Sequence, residues 1–474
     1  MNNATKYDML VIGLGPAGMA LAAMGTAMGL KVLAIEKDKV GGECLNSGCI
    51  PSKAILKVAA VRRTIADLSK YGLSQTEIPL PLKPFDRVQD LLKYINEEKT
   101  SKMFEKVEMV LDKGGAKFVD AHTVEAGGKT YTARRIYICA GTKAFVPPIP
   151  GIDTVEYLTN ENLFKLEELP ESLFVLGGGA IGCEMAQAFA RLGTKVTLAH
   201  IDAHLLPLAD EEAARILEES IAQCGVNVNN STAIQRIEKQ GDRILVVTDK
   251  GEFSVEKLLV AAGRKPSLDG LALENAGVKY EKRGIQIDAY GRTSAPHIWA
   301  VGDCNGKALF SHAAMHQGML SLLSSVFPFL KFFKFRFDQY LVPWSVFTDP
   351  ELAQVGQTEA QLKKSGLTYE VVKSNYADYG RTITDGKTTG FVKVLVSPFG
   401  KIYGATIVGE AASELIHEFI LAMHKNIRLH DIMLMQHSFP TISLLNKRVA
   451  EQWMMNKMKN DRLQRLFQWL FRTF

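Results

Sequence analysis

Cysteine is scarce in this sequence, with only six among 474 residues. A secreted scaffold stapled by disulfide bonds needs many more, so we expect mostly reduced thiols and a cytoplasmic location. An excess of one charge is also missing, because Lys and Arg exceed Asp and Glu by only five. Without a strong positive field, nucleic acid is not an expected partner.

Long uninterrupted apolar runs are missing too. Residues 9–30 carry no charge and are long enough for a membrane span, but glycines and a proline interrupt them. We therefore predict a strand, a glycine turn and a helix there, and no integral membrane protein. The remaining composition, 47% hydrophobic and 23% charged, is that of a globular chain of about three domains.

A glycine motif of the form G-x-G-x-x-G occurs twice, which indicates an internal repeat. Its glycines are Gly13, Gly15 and Gly18 in the first copy, and Gly177, Gly179 and Gly182 in the second. Each copy follows an apolar strand and opens a predicted helix. The glycines permit a tight turn, close approach to a pyrophosphate and close helix packing, so two dinucleotide sites are predicted. Glu36 ends the next strand of the first copy, where a carboxylate can accept hydrogen bonds from a ribose.

One pair of cysteines is close in sequence. Cys44 and Cys49 lie in the segment Gly41-Gly-Glu-Cys-Leu-Asn-Ser-Gly-Cys-Ile-Pro-Ser-Lys53. Because this segment follows a dinucleotide-binding strand and leads into a helix, the pair can exchange two electrons with a flavin ring. No second cluster of Cys or His lies nearby in the sequence, so no metal site is predicted.

These motifs resemble those of the class I pyridine nucleotide-disulfide oxidoreductases, the flavoprotein family of dihydrolipoamide dehydrogenase, glutathione reductase and mercuric reductase. Further matching segments are Cys139-Ala-Gly-Thr142, Ala262-Gly-Arg-Lys-Pro266, Ala300-Val-Gly-Asp303 and Phe347-Thr-Asp-Pro-Glu-Leu-Ala353. The resemblance implies an α/β fold with two Rossmann-like domains and an α+β C-terminal dimerisation domain. The implied domains are a discontinuous FAD-binding domain at 1–150 and 271–340, an NAD(P)-binding domain at 151–270 and a dimerisation domain at 341–474.

The resemblance also implies roles for individual residues. Cys49 is expected nearest the flavin, and Cys44 is expected to meet the substrate. Lys53 and Glu184 match an ion pair beside the flavin, where a cation stabilises developing negative charge. The remaining cofactor contacts are expected from Gly141, Gly263, Arg264 and Asp303, with Asp303 holding the ribityl chain of FAD.

The chain departs from the family at the catalytic base. Members that act on dithiols carry a His and a Glu where this chain has Phe439 and Leu444. Without a base, a thiol with a pKa of about 8.5 stays mostly protonated at neutral pH, so exchange with a disulfide should be slow. His437, two residues before Phe439, is the alternative base. Mercuric reductases carry a C-terminal cysteine pair that captures the metal. No cysteine follows Cys304 in this chain, so the sequence does not support mercury reduction.

The nicotinamide cofactor is the second departure. Members that use NAD have Glu at the position of His200. Loss of this carboxylate removes repulsion against a 2′-phosphate, although no arginine supplies the usual clamp. This pattern favours NADPH over NADH.

We therefore expect a homodimeric FAD enzyme that passes electrons from NAD(P)H through Cys44 and Cys49 to a small disulfide, a metal ion or another soft acceptor. One alternative is a dihydrolipoamide dehydrogenase with His437 as its base. The other is an electron-transfer flavoprotein associated with a membrane or a protein complex.

The C-terminal segment 462–474 bears on that last alternative. Leucine and phenylalanine recur in it at three- and four-residue spacing, which predicts an amphipathic helix. We favour packing of this helix on its own dimer. Peripheral contact with an anionic membrane is the alternative, and the aromatic and basic segment at 327–337 would reinforce it.

Overall fold

Parallel and antiparallel sheets organise this chain. The computed structural model describes residues 5–79, 83–100, 102, 104–111, 113–327 and 336–474, so most of the aromatic and basic segment at 327–337 lies outside the described residues. The strands are β1 (Thr5–Ile12), β2 (Val32–Glu36), β3 (Glu108–Leu111), β4 (Lys117–Phe118), β5 (Thr123–Ala126), β6 (Lys129–Ile138), β7 (Thr142–Ala144), β8 (Tyr157–Leu158), β9 (Ser172–Leu176), β10 (Lys195–Ala199), β11 (Asn227–Asn229), β12 (Ile234–Gln240), β13 (Arg243–Thr248), β14 (Gly251–Val255), β15 (Lys257–Val260), β16 (Arg264–Pro266), β17 (Tyr280–Glu281), β18 (Gly284–Ile285), β19 (Ile298–Ala300), β20 (Trp344–Val346), β21 (Glu351–Gly356), β22 (Glu370–Asn375), β23 (Phe391–Val396) and β24 (Ile402–Gly409).

Helices follow many of these strands. They are α1 (Pro16–Ala27), α2 (Gly42–Asn46), α3 (Cys49–Ala66), α4 (Pro84–Tyr94), α5 (Ala180–Leu192), α6 (Glu211–Gln223), α7 (Ser311–Val326), α8 (Glu359–Ser365), α9 (Gly380–Thr384), α10 (Ala412–Lys425), α11 (Leu429–Leu434), α12 (Leu444–Met458) and α13 (Asp461–Thr473). Among the described residues, no helix is both long and apolar enough to cross a membrane.

The chain divides into two compact units. The first comprises the described residues of 1–177, 188–197 and 233–340, and the second comprises 178–187, 198–232 and 341–474. These two units do not test the three domain boundaries expected from the sequence, which therefore stay a prediction.

The first unit contains a seven-stranded sheet in the order β3-β2-β1-β6-β5-β4, with β19 also paired to β6. β1 is parallel to both β2 and β6. Alternate residues of β1 enter different core clusters, with Leu10 in one and Val11 in the other. Burial on both faces explains why residues 9–12 of this strand are all apolar instead of alternating with polar residues. The first glycine motif follows β1 directly and so lies at the carboxyl edge of the sheet, where such folds bind ligands.

A second sheet has the order β11-β10-β9-β15-β8. Its strand β15 is parallel to β9 and to β8. All five residues of β9 are buried, and the second glycine motif begins directly after this strand. The two Rossmann-like sheets confirm the predicted α/β fold class.

The second unit contains a five-stranded sheet in the order β20-β21-β24-β23-β22. All its neighbouring strands are antiparallel. α10 and α12 contribute Phe419 and Trp453 to the same core cluster as Val392 of β23. This helix-covered antiparallel sheet is the α+β arrangement predicted for the C-terminal part of the chain.

Candidate redox site

The first glycine turn has a separate physical reason for each glycine. Gly13 has a φ of +94°, and a Cβ on it would collide with the Cys139 carbonyl. A Cβ on Gly18 would collide with the Gly13 carbonyl, so this glycine lets α1 pack tightly on the turn. At Gly15, in contrast, no atom lies within 4 Å of the Cβ position. The backbone at Gly15 is therefore open to a ligand at the N-terminus of α1, as phosphate binding requires.

Glu36 lies beside this turn. Its carboxylate accepts hydrogen bonds from the backbone N–H groups of Leu14, at 2.6 Å, and Asp38, at 2.9 Å. The side chain is buried, and the two bonds hold it at the end of β2. An open glycine, a helix N-terminus and a fixed carboxylate together fit the adenosine and pyrophosphate part of FAD.

The second glycine turn has the same form. Gly177 has a φ of +120°, and a Cβ there would collide with the Ala261 carbonyl. At Gly179 no atom lies within 4 Å of the Cβ position. Gly182 is buried within α5. The arrangement fits a second pyrophosphate, as the sequence repeat predicts.

His200 lies beneath this second turn. Its side chain is 5% exposed, and its Nε2 lies 2.9 Å from Asn230 Oδ1. A Cβ on Gly178 would come within 2.8 Å of the imidazole ring, so the ring packs against the glycine backbone. The position that bears a carboxylate in members using NAD is therefore filled by a buried ring.

The loop that carries the two cysteines is docked onto the first glycine turn. The Gly41 N–H donates to the Leu14 carbonyl at 2.7 Å. A Cβ on Gly42 would lie 2.9 Å from the Gly15 Cα, so only glycine permits this approach. The Asn46 amide also donates to the Gly42 carbonyl at 2.9 Å. These contacts bring the cysteine pair next to the predicted flavin-binding backbone.

No disulfide bond joins Cys44 and Cys49 in this structure. Cys49 is exposed and is the first residue of α3, whereas Cys44 is half-buried. Hydrogen bonding to Cys49, followed by burial, raises the pKa of the Cys44 thiol well above its ordinary value. A helix N-terminus stabilises a thiolate. A proton is therefore best held on Cys44, and a negative charge is best held on Cys49.

Ser311 was not marked by any sequence motif, yet it contacts this pair. Its Oγ lies 3.3 Å from the Cys49 Sγ, and either atom can donate. The same hydroxyl, by hydrogen bonding, opposes the rise in the pKa of Cys44. Ser311 begins α7, and its contact with Cys49 spans 262 residues of sequence. Local pattern offers no signal for such a contact.

Arg264, in the matching segment 262–266, connects the cysteine segment with the matching segments 139–142 and 300–303 of the first unit. Its Nε donates to Thr142 Oγ1 at 2.7 Å, and its guanidinium forms an ion pair with Glu43 of the cysteine loop. Thr142 Oγ1 in turn donates to Asp303 Oδ2 at 3.3 Å. Arg264 and Asp303 are predicted from the sequence, whereas no role is predicted for Thr142 or Glu43, although both lie within the matching motifs. The network links the cysteine loop to the predicted ribityl site.

Burial dominates the ionisation of the two charged ends of this network. Burial lowers the pKa of the Arg264 guanidinium, and the Asp303 charge opposes this shift. Burial likewise raises the pKa of the Asp303 carboxyl, opposed by Arg264 and by the hydrogen bond from Thr142. Gly141 and Gly263 adjoin the network with φ values of +65° and +126°, and no atom lies within 4 Å of either Cβ position. The backbone is therefore open at both glycines, and their cofactor contacts stay a prediction.

The two members of the predicted flavin ion pair lie in different units. Lys53 is half-buried in α3, one turn after Cys49. Glu184 is 4% exposed in α5, and its Oε1 accepts a hydrogen bond from the Phe347 N–H at 3.0 Å. Their ion pair stays a prediction.

The segment that carries the base in dithiol-specific members presents an aromatic ring. Phe439 is 79% exposed, and Leu444 begins α12. The His437 side chain is 5% exposed, with Nε2 3.0 Å from Glu418 Oε1 and Nδ1 3.4 Å from the Met435 carbonyl. Both nitrogens of His437 therefore have partners within the second unit, and the exposed group at this place has no proton to exchange.

Comparison with known proteins agrees with this geometry. Residues 7–318 match the pyridine nucleotide-disulphide oxidoreductase family, and residues 342–448 match its dimerisation domain, which supports a homodimer. Dihydrolipoyl dehydrogenase of Thermus scotoductus is 35% identical over 92% of this chain and 95% of its own length. Mercuric reductase of Lysinibacillus sphaericus is 33% identical over 91% of this chain and 79% of its own length.

Solved structures agree as well. The Cu(II) complex of the HOCl-induced flavoprotein disulfide reductase RclA from Escherichia coli has a TM-score of 0.84 and 27% identity, covering 95% of this chain and 99% of its own. Family and structural matches thus span both the cysteine loop and the antiparallel sheet. This chain belongs to the class I pyridine nucleotide-disulfide oxidoreductases, FAD- and pyridine nucleotide-dependent flavoprotein enzymes with a redox-active cysteine pair.

Proposed function

We propose that this enzyme uses NADPH to reduce a thiophilic metal ion, with copper(II) as the leading acceptor, at Cys44 and Cys49. The observation that carries the proposal is the exposed Phe439 at the place of the base, together with the sequestered His437. The proposal draws support from the solved copper(II) complex of a 27% identical flavoprotein.

Metal reduction suits this site because it does not need a histidine base. To attack a disulfide, the protonated Cys44 must first lose its proton to a base. A thiophilic metal ion instead displaces protons when it binds sulfur, because thiolate is the metal-binding form of cysteine. The raised pKa of Cys44 therefore hinders disulfide exchange more than metal binding.

The proposed reaction balances in two halves. NADPH and one proton reduce the Cys44–Cys49 disulfide to the dithiol and leave NADP⁺. Two copper(II) ions then take one electron each from the sulfur atoms, so that the disulfide re-forms while two copper(I) ions and two protons leave. When bound, FAD supplies the two-electron relay between the nicotinamide and the cysteine pair.

The residues of this chain hold that relay. We propose that Gly15 and Glu36 hold its adenosine and pyrophosphate part, and that Asp303 holds the ribityl chain. Arg264 fixes the position of Asp303 through Thr142, and it fixes the position of the cysteine loop through Glu43. The half-buried Lys53, one turn after Cys49, supplies a positive charge to the flavin, and Glu184 is its proposed partner.

The preference for NADPH rests on His200. This buried imidazole replaces a carboxylate that would repel a 2′-phosphate. Its contact with Asn230 holds the ring under the glycine turn. We also propose a cytoplasmic location, since six cysteines among 474 residues suit a reducing compartment.

A steady-state panel tests the proposal. The FAD-loaded enzyme is assayed with NADPH and with NADH against copper(II), mercury(II), lipoamide, glutathione disulfide and quinones. We expect copper(II) to turn over faster than lipoamide, and Cys44→Ser to abolish the copper activity. Faster turnover of lipoamide than of copper(II), or full copper activity in Cys44→Ser, contradicts the proposal.

The second candidate is a dihydrolipoamide dehydrogenase that recruits His437. The contact between His437 and the Glu418 carboxylate favours it, because a carboxylate orients the histidine base in many enzymes. Its test is His437→Ala in the lipoamide assay. Fast lipoamide turnover in the parent enzyme that disappears in this variant selects the second candidate over metal reduction.

A further inference from the structure

The C-terminal helix α13 presents an uncovered apolar face. None of its residues is buried in the described chain. Phe471 is 90% exposed and Phe474 is 96% exposed, whereas Leu466 and Phe467 are each 47% exposed. By contrast, α12 directly before it buries Trp453 against its own sheet. The apolar face of α13 is therefore available to a partner.

The face is continuous along the helix. At about 100° per residue, its apolar side chains fall within an arc of about 140°. These side chains are Leu463, Leu466, Phe467, Leu470, Phe471 and Phe474. Asn460 caps the helix by accepting hydrogen bonds from the backbone N–H groups of Arg462 and Leu463. The cap and the continuous stripe together indicate a helix that is well formed before any partner binds.

Charge on the opposite face favours an anionic partner. Arg465 and Arg472 project opposite the apolar arc, and Arg462 lies near its edge beside Trp469. The one acidic residue of the helix is Asp461 in the first turn. Arginines around an apolar stripe, with tryptophan at the boundary, are the pattern of helices that lie in a phospholipid headgroup layer.

A second copy of the chain is a poorer occupant. Residues 342–448 match the dimerisation domain, and α13 lies beyond them. A second copy that covers the apolar arc also leaves Arg465 and Arg472, which project opposite it, without an anionic partner, whereas a phospholipid surface offers phosphates to the arginines of the helix.

We propose that α13 binds the surface of anionic phospholipid bilayers, with the leucine and phenylalanine face entering the acyl boundary and the arginines contacting lipid phosphates. This inference does not depend on the identity of the electron acceptor. It assigns the enzyme a peripheral membrane position that neither the cysteine pair nor the glycine turns require.

Cosedimentation of the FAD-loaded dimer with vesicles tests the proposal. We compare vesicles of phosphatidylcholine alone with vesicles that also contain phosphatidylglycerol. Binding should require the anionic lipid and should weaken about tenfold or more between low and high salt, because exposed charges are screened. The double variant Phe471→Ser/Phe474→Ser should lose about tenfold or more of the binding.

Phe399→Ser is the matched control, because Phe399 is 78% exposed but lies in the turn between β23 and β24. It should bind vesicles like the parent enzyme. All proteins should keep their NADPH-dependent turnover, which shows that they are folded. Fluorescence of Trp469 gives an independent readout, since a blue shift on vesicle addition should be absent in Trp469→Phe.

Two results overturn the proposal. The first is no vesicle binding by the parent enzyme at low salt. The second is dissociation of Phe471→Ser/Phe474→Ser into monomers in sedimentation velocity, with vesicle binding equal to that of the parent, which assigns the helix to the dimer.

Discussion

Ser311 is expected to tune the ionisation of the cysteine pair. Its hydroxyl lies 3.3 Å from the Cys49 sulfur. A hydrogen bond to a charged acceptor contributes about 1.5–3 kcal/mol when it is fully shielded from water. Cys49 is exposed, so water replaces part of this contribution and about 0.7–1.4 kcal/mol remains. One pKa unit corresponds to about 1.36 kcal/mol, so the expected effect is about 0.5–1 unit.

The sign follows from the charge that the hydroxyl stabilises. Ser311 donates to the thiolate, so its loss disfavours the charged form and moves ionisation of the pair to higher pH. The thiolate beside oxidised flavin is expected to give long-wavelength charge-transfer absorbance, which reports its ionisation. In Ser311→Ala the midpoint of this absorbance should therefore rise by about 0.5–1 pH unit. The measurement is an anaerobic pH titration of the two-electron-reduced enzyme.

Two further variants separate hydrogen bonding from packing. Ser321→Ala removes a buried hydroxyl from the same helix, and Ser321 Oγ has no hydrogen-bond partner in the described chain. This control should leave the midpoint unchanged, and Ser311→Thr should largely restore it. An unchanged midpoint in Ser311→Ala, or an equal shift in Ser321→Ala, refutes the role of the hydroxyl.

Other substitutions address the remaining parts of the site. Cys49→Ser should abolish the charge-transfer absorbance and Cys44→Ser should keep it at high pH; the reverse result exchanges their roles. Phe439→His should raise lipoamide turnover about 10²–10⁴-fold if the new base is correctly oriented, and no gain in steady-state rate counts against the missing-base argument. His200→Glu should shift the ratio of kcat/KM values toward NADH by about tenfold, because a carboxylate repels the 2′-phosphate and accepts from the ribose, and an unchanged ratio removes His200 as a determinant. Lys393→Met should lower the free energy of unfolding by about 3–5 kcal/mol in a urea titration, because Lys393 is 5% exposed and neutralises a buried carboxylate; a loss below about 1 kcal/mol contradicts this expectation.

The contacts that join distant motifs became visible only in the folded structure. Ser311 meets Cys49 across 262 residues, and Thr142 meets Asp303 across 161. Neither contact follows from residue spacing, because it depends on where strands and helices end in space. The contact between His437 and Glu418 also depends on the tertiary structure, because Glu418 lies on another helix, α10. This contact holds the imidazole away from the surface. The sequence showed that a histidine was near the base position, but only packing showed that its nitrogens were engaged.

The glycine turns, the cysteine pair and the α/β fold class could be predicted from the amino-acid sequence alone. These depend on local rules: a turn with positive φ at Gly13 requires glycine, and a strand buried on both faces must be apolar throughout. Sequence also marked the absence of a base at Phe439, since residue identity alone decides whether a group can accept a proton. Exposure of the apolar face of α13 required the tertiary structure, because an amphipathic pattern reads the same whether protein or solvent covers it.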